Sequence, residues 1–247
     1  MSVMQETAMQ IPTEDHFLIH GVLNQWHSSS RLLIFVHGLT GEKEFHLYYD
    51  GARFFPQNGI DVFRFDLFSN EQQGRVLSDA SISSFAADLD TVVAHFAKDY
   101  DQIHVIGHSI GGCVAMNAKQ MAITSLVLWD TGLYVPSAFE QKVKYNQQLD
   151  KYIANLKIAY LLSKQFIQER AMQDERVVSQ VSCPMKLIFA GNTGLYKTWD
   201  TRLDAIGVHH DISTILGAGH GFNEYGVDKQ LFAATLDWLQ TGYQANH

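Results

Sequence analysis

The segment Val105-Ile106-Gly107-His108-Ser109-Ile110-Gly111-Gly112 limits the folds open to this chain more than any other stretch, because a strand must break there directly into a helix. Gln102 to Ile106 is a short, β-rich apolar run, and from Gly112 to Met121 the residues Val114, Ala115 and Ala118 share one helical face. Gly107 and Gly111 stand two positions either side of Ser109, where a tight corner brings backbone against backbone and leaves no room for a Cβ. The corner pushes the Ser109 hydroxyl into the open.

Around that corner the pattern alternates strand and helix. Leu32 to Val36 is uninterrupted apolar sequence, and Ile60 to Phe65 is broken only by Asp61 and Arg64. Such runs, separated by helices, predict a mainly parallel sheet covered on both faces. Residues 7–26 read as an edge hairpin turning at Pro12-Thr13-Glu14-Asp15. An amphipathic helix is expected over 46–57, closed by Asn58-Gly59. The clearest helix spans 81–97, with Ser81 as N-cap and Phe85, Leu89, Val92 and Phe96 on one face. Ser125 to Trp129 is a further buried strand, closed by Asp130-Thr131-Gly132. Strands are predicted again at Met185 to Ala190 and Ile212 to Leu216. Between these two a helix is expected, with Leu195, Trp199, Leu203 and Ile206 inward, and a last helix runs from Val227 to Gln240. Residues 133–180 break the alternation. Tyr145, Leu149, Tyr152, Ile153, Leu156, Tyr160 and Leu161 suggest helical spacing there, so the chain reads as a core of 1–132 and 181–247 with a helical cap insertion over 133–180.

The 247 residues suffice for one large domain with an insertion. A formal charge of -8 argues against nucleic acid and other polyanionic partners. Two cysteines, Cys113 and Cys183, are too few for a disulfide framework and read as reduced core thiols. Met1 to Gln10 has neither a basic nor an apolar leader-like region, and no apolar run approaches membrane-spanning length, so a cytoplasmic protein is the default expectation.

Three motifs, in order along the chain, carry a resemblance: His37-Gly38-Leu39-Thr40-Gly41 after an early strand, Gly107-His108-Ser109-Ile110-Gly111-Gly112 at the corner, and Gly217-Ala218-Gly219-His220-Gly221-Phe222 after the last strand. Together they resemble the oxyanion loop, nucleophile elbow and histidine loop of the α/β-hydrolase superfamily over essentially the whole chain. Among its branches, small bacterial carboxylesterases of the cinnamoyl or feruloyl esterase type and related acyl thioesterases look most similar. The resemblance implies an α/β-hydrolase fold with about eight strands and no cofactor or metal. It also implies a small-molecule ester or thioester substrate. A serine hydroxyl needs a neutral imidazole to take its proton, and His220 on its glycine-flanked loop is the candidate base for Ser109. His108 should point away at the corner, His104 falls in a strand and His95 in a helix. His209-His210-Asp211 reads as a surface turn, a weak metal candidate. By position in the family pattern, the N–H groups of Leu39 and Ile110 would bind the oxyanion, with His37 and Gly38 shaping the loop.

The sequence departs from that pattern at the acid. The superfamily usually places a carboxylate just after the strand corresponding to Met185 to Ala190, where this chain reads Gly191-Asn192-Thr193-Gly194-Leu195. Three explanations compete: Asp130 at the preceding strand end, which is favoured; Asp200 or Asp204 reaching in; or Asn192 orienting the imidazole without charge. Asp66, at another strand end, reads as a structural turn residue. The reading is a serine hydrolase acting through an acyl-enzyme. The rivals are a non-catalytic binding protein with an impaired triad, and an acyltransferase or carbon–carbon hydrolase using the same pair.

Overall fold

The computed structural model describes residues 4–134, 141–156 and 158–243. Its centre is an eight-stranded sheet. The strands are β1 (Gln5–Pro12), β2 (Leu18–Gln25), β3 (Arg31–Val36), β4 (Asp61–Phe65), β5 (Gln102–His108) and β6 (Ser125–Trp129), followed after an insertion by β10 (Met185–Ala190) and β11 (His210–Ile215). Their spatial order is β1-β2-β4-β3-β5-β6-β10-β11. From β4 to β11 every neighbouring pair is parallel, while β1 and β2 form the expected antiparallel edge hairpin, Pro12 opposite Leu18. Burial explains the composition: β4, β6 and β10 are buried at every residue, as strands covered on both faces must be.

The covering helices make two core layers. On one face lie α2 (Ile82–Phe96) and α3 (Ile110–Asn117); on the other lie α1 (His46–Gln57) and, near the chain's end, α6 (Val227–Asp237). Ser81 caps α2 as its sequence predicts, accepting from the Ser84 N–H while Ser84 Oγ accepts from the Ser81 N–H. Cys113 and Cys183 are buried free thiols. Among the described residues no helix is long and apolar enough to cross a membrane.

Between β6 and β10 the chain leaves the sheet, and here the structure corrects the sequence reading. Among the described residues of the insertion, helices occur in its second half, as α4 (Lys164–Ala171) and α5 (Glu175–Ser179). The first half is an antiparallel three-stranded sheet of β7 (Val143–Asn146), β8 (Lys151–Leu156) and β9 (Ile158–Leu162). Its large apolar residues fit either period over so short a run. Pairing decides: Tyr145 meets Tyr152 across the strands at 5.2 Å between ring centroids. Tyr152, Ala154 and Leu156 alternate toward the core. The cap is seated on the start of α2. Ser163 Oγ donates to the Ala80 carbonyl at 2.6 Å while accepting from the Phe166 N–H, and Glu169 accepts from the Ser83 N–H at 2.8 Å.

The helix expected after β10 is a second correction. Leu195–Thr198 and Leu203–Ala205 are separate 3₁₀ turns, although Trp199 and Ile206 point inward as predicted. The Thr198 hydroxyl donates to the Leu195 carbonyl and the Thr193 hydroxyl accepts from the Leu195 N–H, and these local bonds compete with a continuous helix.

Candidate active site

The site forms where β5, β6 and β11 end on the same edge of the sheet. At the end of β5 the backbone of Ser109 takes φ 57 and ψ -123, a strained conformation for a residue with a side chain. Three glycines make the corner possible. A Cβ on Gly107 would lie 2.4 Å from Gly112 Cα, one on Gly111 would lie 2.2 Å from the Val36 carbonyl oxygen, and one on Gly112 would lie 2.0 Å from Thr131 Oγ1. Gly111 is the tightest against backbone. Gly111→Ala is therefore expected to cost about 1–3 kcal/mol or more, read as a lowered urea midpoint; equal stability would show that the corner can widen.

Ser109, half-buried, donates to His220 Nε2 at 2.9 Å, and His220 Nδ1–H donates to Asp130 Oδ2 at 2.7 Å. Asp130 is completely buried, with φ 42 immediately after β6. Its other oxygen, Oδ1, accepts from the Ala190 N–H at 3.1 Å and from Thr193 Oγ1 at 3.0 Å. A buried carboxylate is costly unless its lone pairs are filled, and these three donors fill them. The imidazole side chain, by contrast, is 47% exposed. One end of the line is dry and the other is open to a substrate.

The candidates for the acid differ in where they lie relative to His220. Asp130 alone of those carboxylates meets the imidazole, while Asp200 and Asp204 are exposed. Asn192 does not touch His220; its Nδ2 donates to the Gly217 carbonyl at 2.8 Å, stapling the loop on which His220 stands. Thr193, beside it, supports Asp130. That role went unread in the sequence, where a threonine next to the vacant acid position was the only hint.

The loop carrying Leu39 lies against the serine: a Cβ on Gly38 would be 3.2 Å from Ser109 Cβ. Among the described residues neither the Leu39 nor the Ile110 N–H has an acceptor. Ile110 opens α3, so its N–H also carries the positive end of the helix dipole. Such free donors beside a nucleophile can hold a developing oxyanion. His37 is 1% exposed, donates from Nδ1 to the Gly38 carbonyl at 2.8 Å, and accepts from the Leu67 N–H at Nε2. Burial pushes its pKa below the ordinary histidine value. Asp66 does more than close a turn: its carboxylate accepts from the Lys43 N–H and from Lys43 Nζ, both at 2.6 Å, tying the loop to the end of β4. His104 lies in β5 and His95 in α2, as read. His209 stacks on Trp238, and Asp211 forms an ion pair with Lys186, its register partner across β10 and β11. Among the described residues no cluster of three metal-ligating side chains occurs.

Residues 33–234 match the profile of the Alpha/beta hydrolase family, and the chain belongs to that family. No curated sequence matches it. Among solved structures it is similar to Est1E from Butyrivibrio proteoclasticus with ferulic acid bound, at 17% identity and a TM-score of 0.78, covering 94% of this chain and 98% of that one. It is also similar to dienelactone hydrolase from Anabaena variabilis, at 15% identity and a TM-score of 0.70, covering 96% and 97% of the two chains. The Pyrococcus furiosus esterase Pf2001 matches at 16% identity with a TM-score of 0.67, covering 96% and 92%. These likenesses share the fold.

Proposed function

We propose that this chain is a cofactor-independent serine hydrolase that cleaves a carboxylic ester or thioester of a small apolar acyl or aryl compound through an acyl-enzyme. The observation that carries the reading is the unbroken line from Ser109 Oγ through His220 to the buried Asp130 carboxylate. In it, Ser109 attacks the carbonyl carbon as its proton passes to His220 Nε2, and the N–H groups of Leu39 and Ile110 receive the oxyanion. The tetrahedral intermediate collapses by expelling the alkoxide or thiolate, which takes the proton from His220. Water then attacks the acyl-serine with His220 again as base, releasing the acid and restoring Ser109.

A half-buried phenylalanine beside the Leu39 loop, Phe68, backed by core aromatics, supports an apolar acyl or aryl group. Between the Leu39 loop and the cap, His37, Phe68, Phe85 and Phe166 follow one another at centroid spacings of 5.3, 6.1 and 6.5 Å. Phe68 is the half-buried member of that series, whereas His37, Phe85 and Phe166 are buried in the core. The binding-protein rival was motivated by a missing acid, and the contact between Asp130 and His220 supports the hydrolase reading over it.

The test is labelling by a fluorophosphonate, with turnover of short-chain p-nitrophenyl esters and acyl thioesters in parallel. The wild type is expected to gain one adduct on Ser109 and to hydrolyse at least one of the two substrate classes, whereas Ser109→Ala gains none. An unlabelled wild type would favour the binding-protein reading. Labelling with turnover only when an acceptor other than water is supplied would favour an acyltransferase.

A further inference from the structure

Two buried polar side chains behind the serine corner take no part in the line just described. Tyr48, in α1, is 1% exposed and His108, the last residue of β5, is 5% exposed. Tyr48 belongs to the core layer of α1 and α6, on the opposite face of the sheet from α3.

Their hydrogen bonds run in one direction, and the backbone at each end forces it. The Gly38 N–H can only donate, and it donates to Tyr48 Oη at 3.2 Å. The tyrosine proton is then aimed at His108 Nδ1, 2.8 Å away. With Nδ1 accepting, the neutral ring carries its proton on Nε2, which stands 2.7 Å from the His220 carbonyl oxygen, a pure acceptor. The chain Gly38 N–H to Tyr48 to His108 to His220 C=O thus joins the residue before Leu39 to the backbone of the imidazole that faces Ser109. The rings of His108 and His220 lie 5.1 Å apart, and Phe222 closes the other side of His108 at 6.0 Å.

From this geometry we infer that Tyr48 and His108 are positioning residues, which fix the separation of the oxyanion loop and His220, with His108 serving as a neutral Nε2–H donor and never as a base. The inference rests on the catalytic reading of Ser109 and His220. A hydrocarbon side chain at either position would fill the space but leave the Gly38 N–H or the His220 carbonyl without its partner. Among the described residues no hydrogen bond joins Gly38 directly to His220, which come from loops after β3 and β11. Burial is the main force holding His108 neutral, pushing its pKa down to about 3. The groups facing it are His220 and His37, which push the same way, and Asp130 and the His220 carbonyl, which oppose.

The experiment compares full-length His108→Phe, His108→Gln and Tyr48→Phe with wild type. Each kcat is expressed per Ser109 titrated by fluorophosphonate, so unfolded molecules do not count. A glutamine amide offers an acceptor and a donor at spacings close to those of the imidazole nitrogens. Misplacement of reacting groups by about 1 Å can cost up to about 100-fold, so His108→Phe and Tyr48→Phe are expected to lower kcat about 10- to 100-fold with KM within about twofold. His108→Gln is expected to recover most of the loss. Independently of turnover, long-range ¹H–¹⁵N spectra of the wild-type imidazoles should show His108 as the Nε2–H tautomer. A kcat per titrated site within about twofold of wild type in His108→Phe, a glutamine no better than phenylalanine, or an Nδ1–H tautomer would each overturn the inference. Were the wild type itself inert, the catalytic reading would fall and the positioning role with it, whereas the tautomer would still judge the hydrogen-bond chain.

Discussion

Asp130→Asn is expected to lower kcat by about 10⁴, by analogy with the same change in serine proteases, while leaving the protein folded and Ser109 in place. The structure supplies the reason for so large an effect from so small a change. Asp130 Oδ1 already accepts from the fixed N–H of Ala190, with the Thr193 hydroxyl beside it. An asparagine must set its carbonyl oxygen there, because its amide group would confront a donor with a donor. The amide N–H is then turned toward His220 Nδ1. That nitrogen becomes an acceptor, the proton moves to Nε2, and the imidazole presents an N–H to Ser109 where a lone pair is required. The measurement is kcat per folded molecule on a chromogenic ester, with circular dichroism as the control for fold. A folded variant with unchanged kcat would remove Asp130 from the mechanism. A tenfold loss would mean that the amide flips and costs the fold a hydrogen bond instead.

The same carboxylate shows how far the sequence could be read. The corner at Ser109 was legible because a Cβ on Gly107, Gly111 or Gly112 would lie 2.4, 2.2 or 2.0 Å from a neighbouring atom, and the His220 loop because Gly217 takes φ 79, which glycine adopts without strain. Asp130 could be favoured only by topology, as a strand-end carboxylate on the edge of the sheet where Ser109 and His220 also emerge. The donors that hold it, the Ala190 N–H at the end of β10 and the Thr193 hydroxyl in the turn after it, lie about 60 residues further on, and no local pattern announces such a contact. Tyr48 was legible as one apolar position of an amphipathic helix, but the direction of its hydroxyl was not. Asp66 was read as closing a turn, whereas the partner that gives it a function, Lys43, lies on a different loop.

The parts of the fold that were misread share a cause. For β7 to β9 and for the 3₁₀ turns after β10, apolar spacing over a few residues fits more than one period, and tertiary pairing makes the choice. A long segment such as α2 leaves no such freedom, and the short buried strands β4, β6 and β10 were read from their largely apolar runs and not from a period. The framework that positions the site was thus written locally, and the cap that borders it was written in contacts between distant residues. Those distant contacts include the seat of the cap on Ser83 and Ala80.

Acidification from pH 7.5 to pH 5.0 is expected to cost the fold about 4 kcal/mol through two buried histidines, at about 1.4 kcal/mol per pH unit for each. Burial pushes both His104 and His108 down to about 3, with nearby Arg31 adding to the effect on His104. An unfolded histidine titrates near about 6.5. Between those values the unfolded chain binds protons that the folded chain refuses, so this stability is complete above about 6.5 and drains away as pH falls toward about 3. The packing explains the refusal. His104 is fully buried, bonds Ser125 Oγ through Nδ1, and has no partner for Nε2 among the described residues, so protonation would leave a charged N–H without an acceptor. His37, lowered by burial as well, acts in the same direction. Asp61 and Asp88, whose pKa values burial raises, oppose the trend. Urea unfolding at the two pH values measures the difference, and His104→Asn should remove about half of it, since one of the two groups no longer titrates. Equal urea midpoints at both pH values would show that these imidazoles accept protons without unfolding, and the dry layer behind the serine corner would have to be reconsidered.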